Sequence, residues 1–260
     1  MPELPEVEYY RRLAERTIGR VAAQVHTPDA WFLKNGLSGI VLAHALVDTS
    51  FAAVRRTGKL LLLDTEGGGT LGLRFGMTGR LLVDGLSGVG QLLYCSPREE
   101  TAWDRLRLVF TDGGDLVVRD PRRLGGVFLD PDESRLGVDA ASVTPAGLRR
   151  ALAGSGAPLK ACLLDQSRLA GVGNLIADEV LFRAGLDPAR PARSLTPAES
   201  RRLHRHLRRT IDDLVEGGGS HTGALVPMRS TGGICPRDGT PLQRRTIGGR
   251  TTWSCPRHQR

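Results

Sequence analysis

The stretch Leu106-Arg107-Leu108-Val109-Phe110-Thr111-Asp112-Gly113-Gly114-Asp115-Leu116-Val117-Val118 decides the first half of the fold. Leu106, Leu108 and Phe110 alternate with their neighbours, Asp112-Gly113-Gly114 breaks the run, and Leu116 and Val118 resume it. Strand side chains point to opposite faces in turn, so alternation on both sides of a Gly-rich break reads as a β-hairpin. Short β-rich segments precede it at 21–26, 39–44, 52–55, 60–64, 71–75 and 80–83, with Gly67-Gly68-Gly69 as a turn. Many short strands at regular spacing predict a sandwich or barrel. A helix opens the chain. Pro5 suits its first turn, Glu6 and Glu8 sit near the positive end of its dipole, and Gly19 is a stop.

The pattern changes after Asp130-Pro131-Asp132, which reads as a linker. Helices are expected at 145–152, 158–165, 175–184 and 196–216. The last is the clearest. Thr196 and Glu199 make a capping box, Pro197 takes the first helical position, and Gly217 ends the helix. Residues 217–233 form a short connector rich in Gly, Ser and Thr. The expected organisation is α+β and multidomain, with a β-rich domain over 1–130, a helical domain over 140–217 and a small module over 230–260.

The terminal module carries metal-ligand spacing. Cys235-Pro236-Arg237-Asp238 precedes Cys255-Pro256-Arg257-His258 by sixteen intervening residues. Two such turns flanking a hairpin-length insert are the layout of a zinc ribbon. A segment this small has little core of its own, and a metal explains how it folds. Asp238 and His258 stand where a ribbon carries Cys, and both side chains can ligate zinc. One structural Zn2+ on Cys235, Asp238, Cys255 and His258 is expected; packing alone is the alternative.

The chain has 260 residues, a net charge of +8 and a pI near 10. A basic excess of this size favours polyanions, nucleic acid foremost. No apolar run is long enough to span a membrane, and the N-terminus lacks the pattern of a secretory signal. Four Cys in this length do not make a disulfide framework, so a cytoplasmic setting is expected. Only three of the 36 basic residues are Lys: Lys34, Lys59 and Lys160. Arg stays protonated, whereas Lys can shift its pKa and carry a proton.

Two further segments suggest chemistry. Removal of Met1 would leave Pro2 as a terminal secondary amine, partly neutral near pH 7 and able to attack a sugar C1′. Glu3 and Glu6 follow closely enough to exchange protons there. Gly171-Val172-Gly173-Asn174 brings backbone N–H groups together at the start of a helix, which makes an anion site.

Taken together, these motifs resemble the formamidopyrimidine-DNA glycosylase and endonuclease VIII family of base-excision repair enzymes. The resemblance spans essentially the whole chain. It rests on Met1-Pro2-Glu3-Leu4-Pro5-Glu6-Val7-Glu8, Arg55-Arg56-Thr57-Gly58-Lys59-Leu60, Gly76-Met77-Thr78-Gly79 and Asp120-Pro121-Arg122-Arg123-Leu124-Gly125. Leu164-Asp165-Gln166, Gly171-Val172-Gly173-Asn174 and the terminal ribbon extend it. It implies an N-terminal β-sandwich bearing the first helix, a helix–two-turn–helix domain and a C-terminal zinc-ribbon-like β-hairpin. It implies a monomer acting on damaged double-stranded DNA, as a bifunctional glycosylase and abasic-site lyase working by β,δ-elimination. By this resemblance, Pro2 is the Schiff-base nucleophile, Glu3 the general acid/base, Glu6 a supporting carboxylate, and Lys59 a phosphate ligand and proton carrier. Lys160, Asn174 and Arg250 hold phosphates. Met77, Arg122 and Leu124 fill the hole left by a flipped base.

The short connector at 217–233 lacks the longer lid of the formamidopyrimidine-type members. It therefore implies an endonuclease VIII-like preference for oxidised pyrimidines. The competing reading is a damaged-DNA-binding protein on the same scaffold, inactive or acting only at abasic sites. The intact set of Pro2, Glu3 and Lys59 speaks against it.

Overall fold

The computed structural model describes residues 2–90, 92, 98 and 100–260. Met1, whose removal the Pro2 chemistry requires, lies outside the described residues. The chain divides into two compact units, Met1–Glu133 and Ser134–Arg260.

The first unit begins with α1 (Leu4–Ala14), β1 (Ala22–His26) and α2 (Gly39–Leu46). Then follow β2 (Phe51–Thr57), β3 (Leu60–Thr65), β4 (Thr70–Arg74), β5 (Arg80–Val83), β6 (Leu86–Ser87), β7 (Asp104–Phe110), β8 (Asp115–Arg119) and β9 (Gly126–Leu129). The strands form two sheets, in the orders β1-β7-β8-β5-β6 and β2-β3-β4-β9. The β7–β8 hairpin pairs Leu108 with Leu116 and Leu106 with Val118, so the alternating residues share one face. These four join Leu61, Leu63, Leu71 and Leu73 of the other sheet in a single buried cluster. That shared core makes the unit a sandwich. Each such side chain contributes about 1.5–3 kcal/mol by leaving water. α1 adds Val7, Tyr10 and Ala14 to the same core.

One expected strand is a helix. Residues 39–44 lie in α2, whose N-cap Ser38 accepts a hydrogen bond from the Val41 amide at 3.3 Å. Leu42 and Leu46 are buried one turn apart, while Ile40 is 84% exposed. The buried positions, not the apolar run itself, show the helical turn, and the capping serine settles where it starts.

The second unit holds β10 (Val138–Asp139), α3 (Pro145–Leu152), α4 (Leu159–Leu164), β11 (Leu169–Ala170), α5 (Asn174–Ala184) and α6 (Pro197–Glu216). It ends in a hairpin of β12 (Gln243–Ile247) and β13 (Arg250–Ser254). The turn is Gly248-Gly249, with φ of +58° and +70°, which fits the left-handed turn a two-residue hairpin needs. The expected helical domain and terminal module fold here as one unit. Phe182 of α5 and Leu225 of the connector share an apolar cluster with Cys235, Leu242, Trp253 and Cys255. α6 starts on the expected capping box, and Arg190 grips Glu199 at 2.6 and 2.8 Å. That contact draws the Glu199 carboxyl down to about 2. Among the described residues, no helix is long and apolar enough to cross a membrane.

Candidate active site and nucleic-acid interface

The chemistry-bearing residues of the first unit gather around α1. Glu3 is its N-cap and Glu6 its third residue, and the two form a capping box. The Glu3 amide donates to Glu6 Oε2 at 2.8 Å. Pro2, Glu3 and Glu6 are all buried. A carboxylate is well placed at a helix N-terminus, where free N–H groups and the dipole favour negative charge.

Lys59 lies on the Gly58-Lys59 turn joining β2 to β3, and the left-handed φ of Gly58 (+60°) makes the turn tight. Arg56 ties this turn to α1. Its Nε donates to Glu8 Oε2 at 3.3 Å and its Nη1 to the Gly58 carbonyl at 2.9 Å. Burial pushes the Glu8 carboxyl up, but Arg11 and Arg56 outweigh it and hold it below its ordinary range. The sequence reading missed Arg56 and Glu8 as supports, although both lie in quoted motifs.

Met77 and the pair Arg122 and Leu124 occupy two adjoining loops of this unit. A Cβ on Gly76 would meet the Leu124 carbonyl carbon at 2.4 Å, so the two backbones touch. Leu124 is 50% exposed and Arg122 is exposed. Neither is core packing.

In the second unit Asn174 begins α5 behind the Gly173 N-cap. Its Nδ2 donates to the Thr251 carbonyl on β13 at 3.1 Å, and a primary amide keeps a second hydrogen to donate. Arg250 is exposed at the hairpin tip.

Lys160 departs from expectation. Its side chain is 0% exposed, and Nζ lies 2.7 Å from Asp178 Oδ1, itself fully enclosed. The ammonium also donates to Thr252 Oγ1 at 2.7 Å and to the Thr251 carbonyl at 3.1 Å. Arg229 meets the other Asp178 oxygen at 3.0 Å. Burial pushes the Asp178 carboxyl up, against the pull of these two cations. Lys160 is thus corrected from a phosphate ligand to a buried tie that holds β13, and with it Arg250, against α4 and α5.

Cys235, Asp238, Cys255 and His258 come together, with one ligand atom of each within 4.8 Å of all the others. Cys235 Sγ lies 3.5 Å from His258 Nδ1, and Cys255 Sγ lies 3.6 Å from Asp238 Oδ2. His258 Nδ1 and Asp238 Oδ2 are 3.7 Å apart. A tetrahedral ion with metal–sulfur bonds of about 2.3 Å and metal–nitrogen bonds of about 2.0 Å spaces such atoms about 3.5 Å apart. The other ring nitrogen of His258 faces the Phe182 carbonyl at 3.3 Å, which leaves Nδ1 free to bind metal. The Thr240 amide, foremost, holds the Asp238 carboxyl well below its ordinary range, so it is an anion. The four residues fit a metal ion.

Comparison with known proteins agrees with this geometry. The formamidopyrimidine-DNA glycosylase N-terminal domain matches residues 1–127, and the H2TH domain of the same enzyme matches 136–224. The formamidopyrimidine-DNA glycosylase of Thermus thermophilus is 38% identical over 283 positions, covering 98% of this chain and 97% of that protein. The Symbiobacterium thermophilum enzyme is 35% identical over 294 positions, covering 100% and 89%. The crystal structure of the Thermus thermophilus MutM (Fpg) protein superposes with a TM-score of 0.80 at 37% identity, over 99% of this chain and 98% of that one. A Lactococcus lactis Fpg variant in complex with a Fapy-dG-containing DNA gives 0.84 at 25% identity, with both chains fully covered. The chain belongs to the formamidopyrimidine-DNA glycosylase and endonuclease VIII family, whose members are DNA glycosylases with abasic-site lyase activity.

Proposed function

We propose that the chain excises oxidised bases from double-stranded DNA and cuts the strand at the resulting abasic site, with Pro2 as nucleophile. The observation that carries this is the burial of Pro2, Glu3 and Glu6 at one helix start, tied through Arg56 to the turn bearing Lys59. With Met1 gone, an α-amine of ordinary pKa is roughly one-tenth neutral at pH 7. The neutral nitrogen bonds to C1′ as the bond to the base breaks, and the base leaves with a proton. Glu3 moves protons at the deoxyribose while the sugar ring opens to an iminium. Loss of a C2′ proton expels the 3′ phosphate, and a second elimination expels the 5′ phosphate. Water then hydrolyses the imine and restores Pro2. Glu6, holding the Glu3 amide, is the supporting carboxylate. Lys59 supplies a cation for phosphate and a proton that an Arg would not release.

Asn174 and Arg250 supply phosphate contacts, and Met77, Arg122 and Leu124 enter the stack when the base leaves it. The ribbon ligands hold a structural zinc, which fixes the two turns that carry β12 and β13. Metal analysis is expected to find one zinc per chain. Asp238→Cys is expected to keep or tighten it, and Asp238→Ala to lose it on dialysis. An Asp238→Ala protein that keeps full zinc removes Asp238 from the ligand set.

Borohydride trapping on duplexes carrying 8-oxoguanine or thymine glycol tests the reaction, with intact mass confirming that the chain begins at Pro2. An adduct through Pro2 supports the lyase mechanism. No adduct with either lesion or with an abasic site supports the binding-only reading. The connector bears on the lesion. Leu225 is fully buried, and its amide donates to Glu179 Oε2 at 2.8 Å, so this segment is pinned to α5. That supports a pocket without a lid and the oxidised-pyrimidine preference. The name of the curated relatives favours formamidopyrimidine lesions instead. The better-trapped duplex decides between them.

A further inference from the structure

We infer that Asp120 is a positioning residue for base flipping, and that its carboxylate sets the two base-replacing loops against each other. The inference rests on the role proposed above for Met77, Arg122 and Leu124. Asp120 directly follows β8 and is 0% exposed. Its Oδ1 accepts from Thr78 Oγ1 at 2.6 Å and from the Arg122 amide at 3.1 Å. Its Oδ2 accepts from the Gly125 amide at 2.9 Å. One carboxylate thus holds the residue after Met77, the amide of Arg122 and the amide after Leu124. One donor comes from the first loop and two from the second, so the carboxylate keeps all three only while both loops stay in place.

The surrounding backbone makes this a single arrangement. Gly76 adopts φ +56° against the Leu124–Gly125 peptide, with no room for a Cβ. Arg123, between the two base-replacing residues, holds φ +57°, a conformation costly for a non-glycine residue. Its guanidinium grips Asp29 at 2.6 and 2.7 Å. The first loop is anchored to the catalytic helix as well. Tyr10 of α1 donates to the Gly79 carbonyl at 3.1 Å, and its ring lies 4.5 Å from that of Phe75. A continuous chain of contacts runs from α1 through Tyr10, Gly79, Thr78 and Asp120 to Arg122 and Gly125. The first loop is therefore held from two sides, by Tyr10 of α1 and by Asp120, and the contacts that seat α1 in the core do not pass through Asp120.

The test separates flipping from chemistry. Asp120→Asn keeps the size but turns an amide N–H₂ toward a donor. It is expected to slow excision of a paired lesion at least tenfold. Borohydride trapping on an abasic site in single-stranded DNA should stay within twofold of wild type. The fluorescence rise of a 2-aminopurine beside the lesion should shrink in parallel. Thr78→Val removes one donor and leaves the carboxylate, and should show the same split at smaller size. Asp120→Asn that excises the paired lesion at the wild-type rate overturns the inference. So does an equal loss on both substrates, which marks a merely structural residue, and so does a Thr78→Val protein indistinguishable from wild type. Wild-type protein that traps no abasic DNA at all defeats the underlying glycosylase reading instead.

Discussion

Glu3→Gln is expected to slow base release by about 10²–10⁴-fold, the range for loss of a positioned general acid or base. Duplex affinity should change little. The substitution keeps length and an acceptor oxygen, so the helix start that Glu3 caps can persist. What it loses is the ability to give and take a proton. Glu3 is wholly buried and its main chain is fixed by Glu6, so the substituted side chain stays where the carboxylate was. Single-turnover release of the damaged base, measured beside a binding titration on the same duplex, checks this. A variant that releases base within threefold of wild type removes Glu3 from the proton chemistry. A variant that loses binding and release together makes it a support of the helix instead.

Local signals were legible in the sequence. Thr196, Pro197 and Glu199 marked the start of α6 because a cap acts over three residues. The β7–β8 hairpin was marked by alternation and a Gly pair, which also act locally. The four ribbon residues that come together were marked by spacing, because a chelating turn needs its donors close in sequence. Residues 39–44 misled because a short apolar run carries little period, and only Ser38 told helix from strand. Asp120 and Lys160 were opaque for a different reason. Their partners lie at Thr78, 42 positions away, and at Thr252, 92 positions away. Lys160 is one of three Lys in an Arg-rich chain, and only the fold shows that its ammonium meets a buried carboxylate.

That contact yields the second large effect. Lys160→Met is expected to destabilise the second unit by about 3–5 kcal/mol, as removing one partner of a buried ion pair does. Methionine fills similar space, so packing is not the main loss. The loss is electrostatic. Asp178 keeps only Arg229 as a counter-ion, and its enclosed carboxylate already sits where burial opposes its charge. The Thr251 carbonyl and Thr252 hydroxyl lose a donor as well. Lys160→Met combined with Asp178→Leu should recover much of the stability, because it removes the orphaned charge along with its partner. Chemical denaturation of the three proteins measures this directly. The salt dependence of DNA binding supplies the opposing outcome. A Lys160→Met protein as stable as wild type, with a log–log salt slope shallower by about one, would make Lys160 a phosphate ligand after all. A destabilised single variant and a rescued double variant identify it as the tie that sets β13, and with it the exposed Arg250, in place.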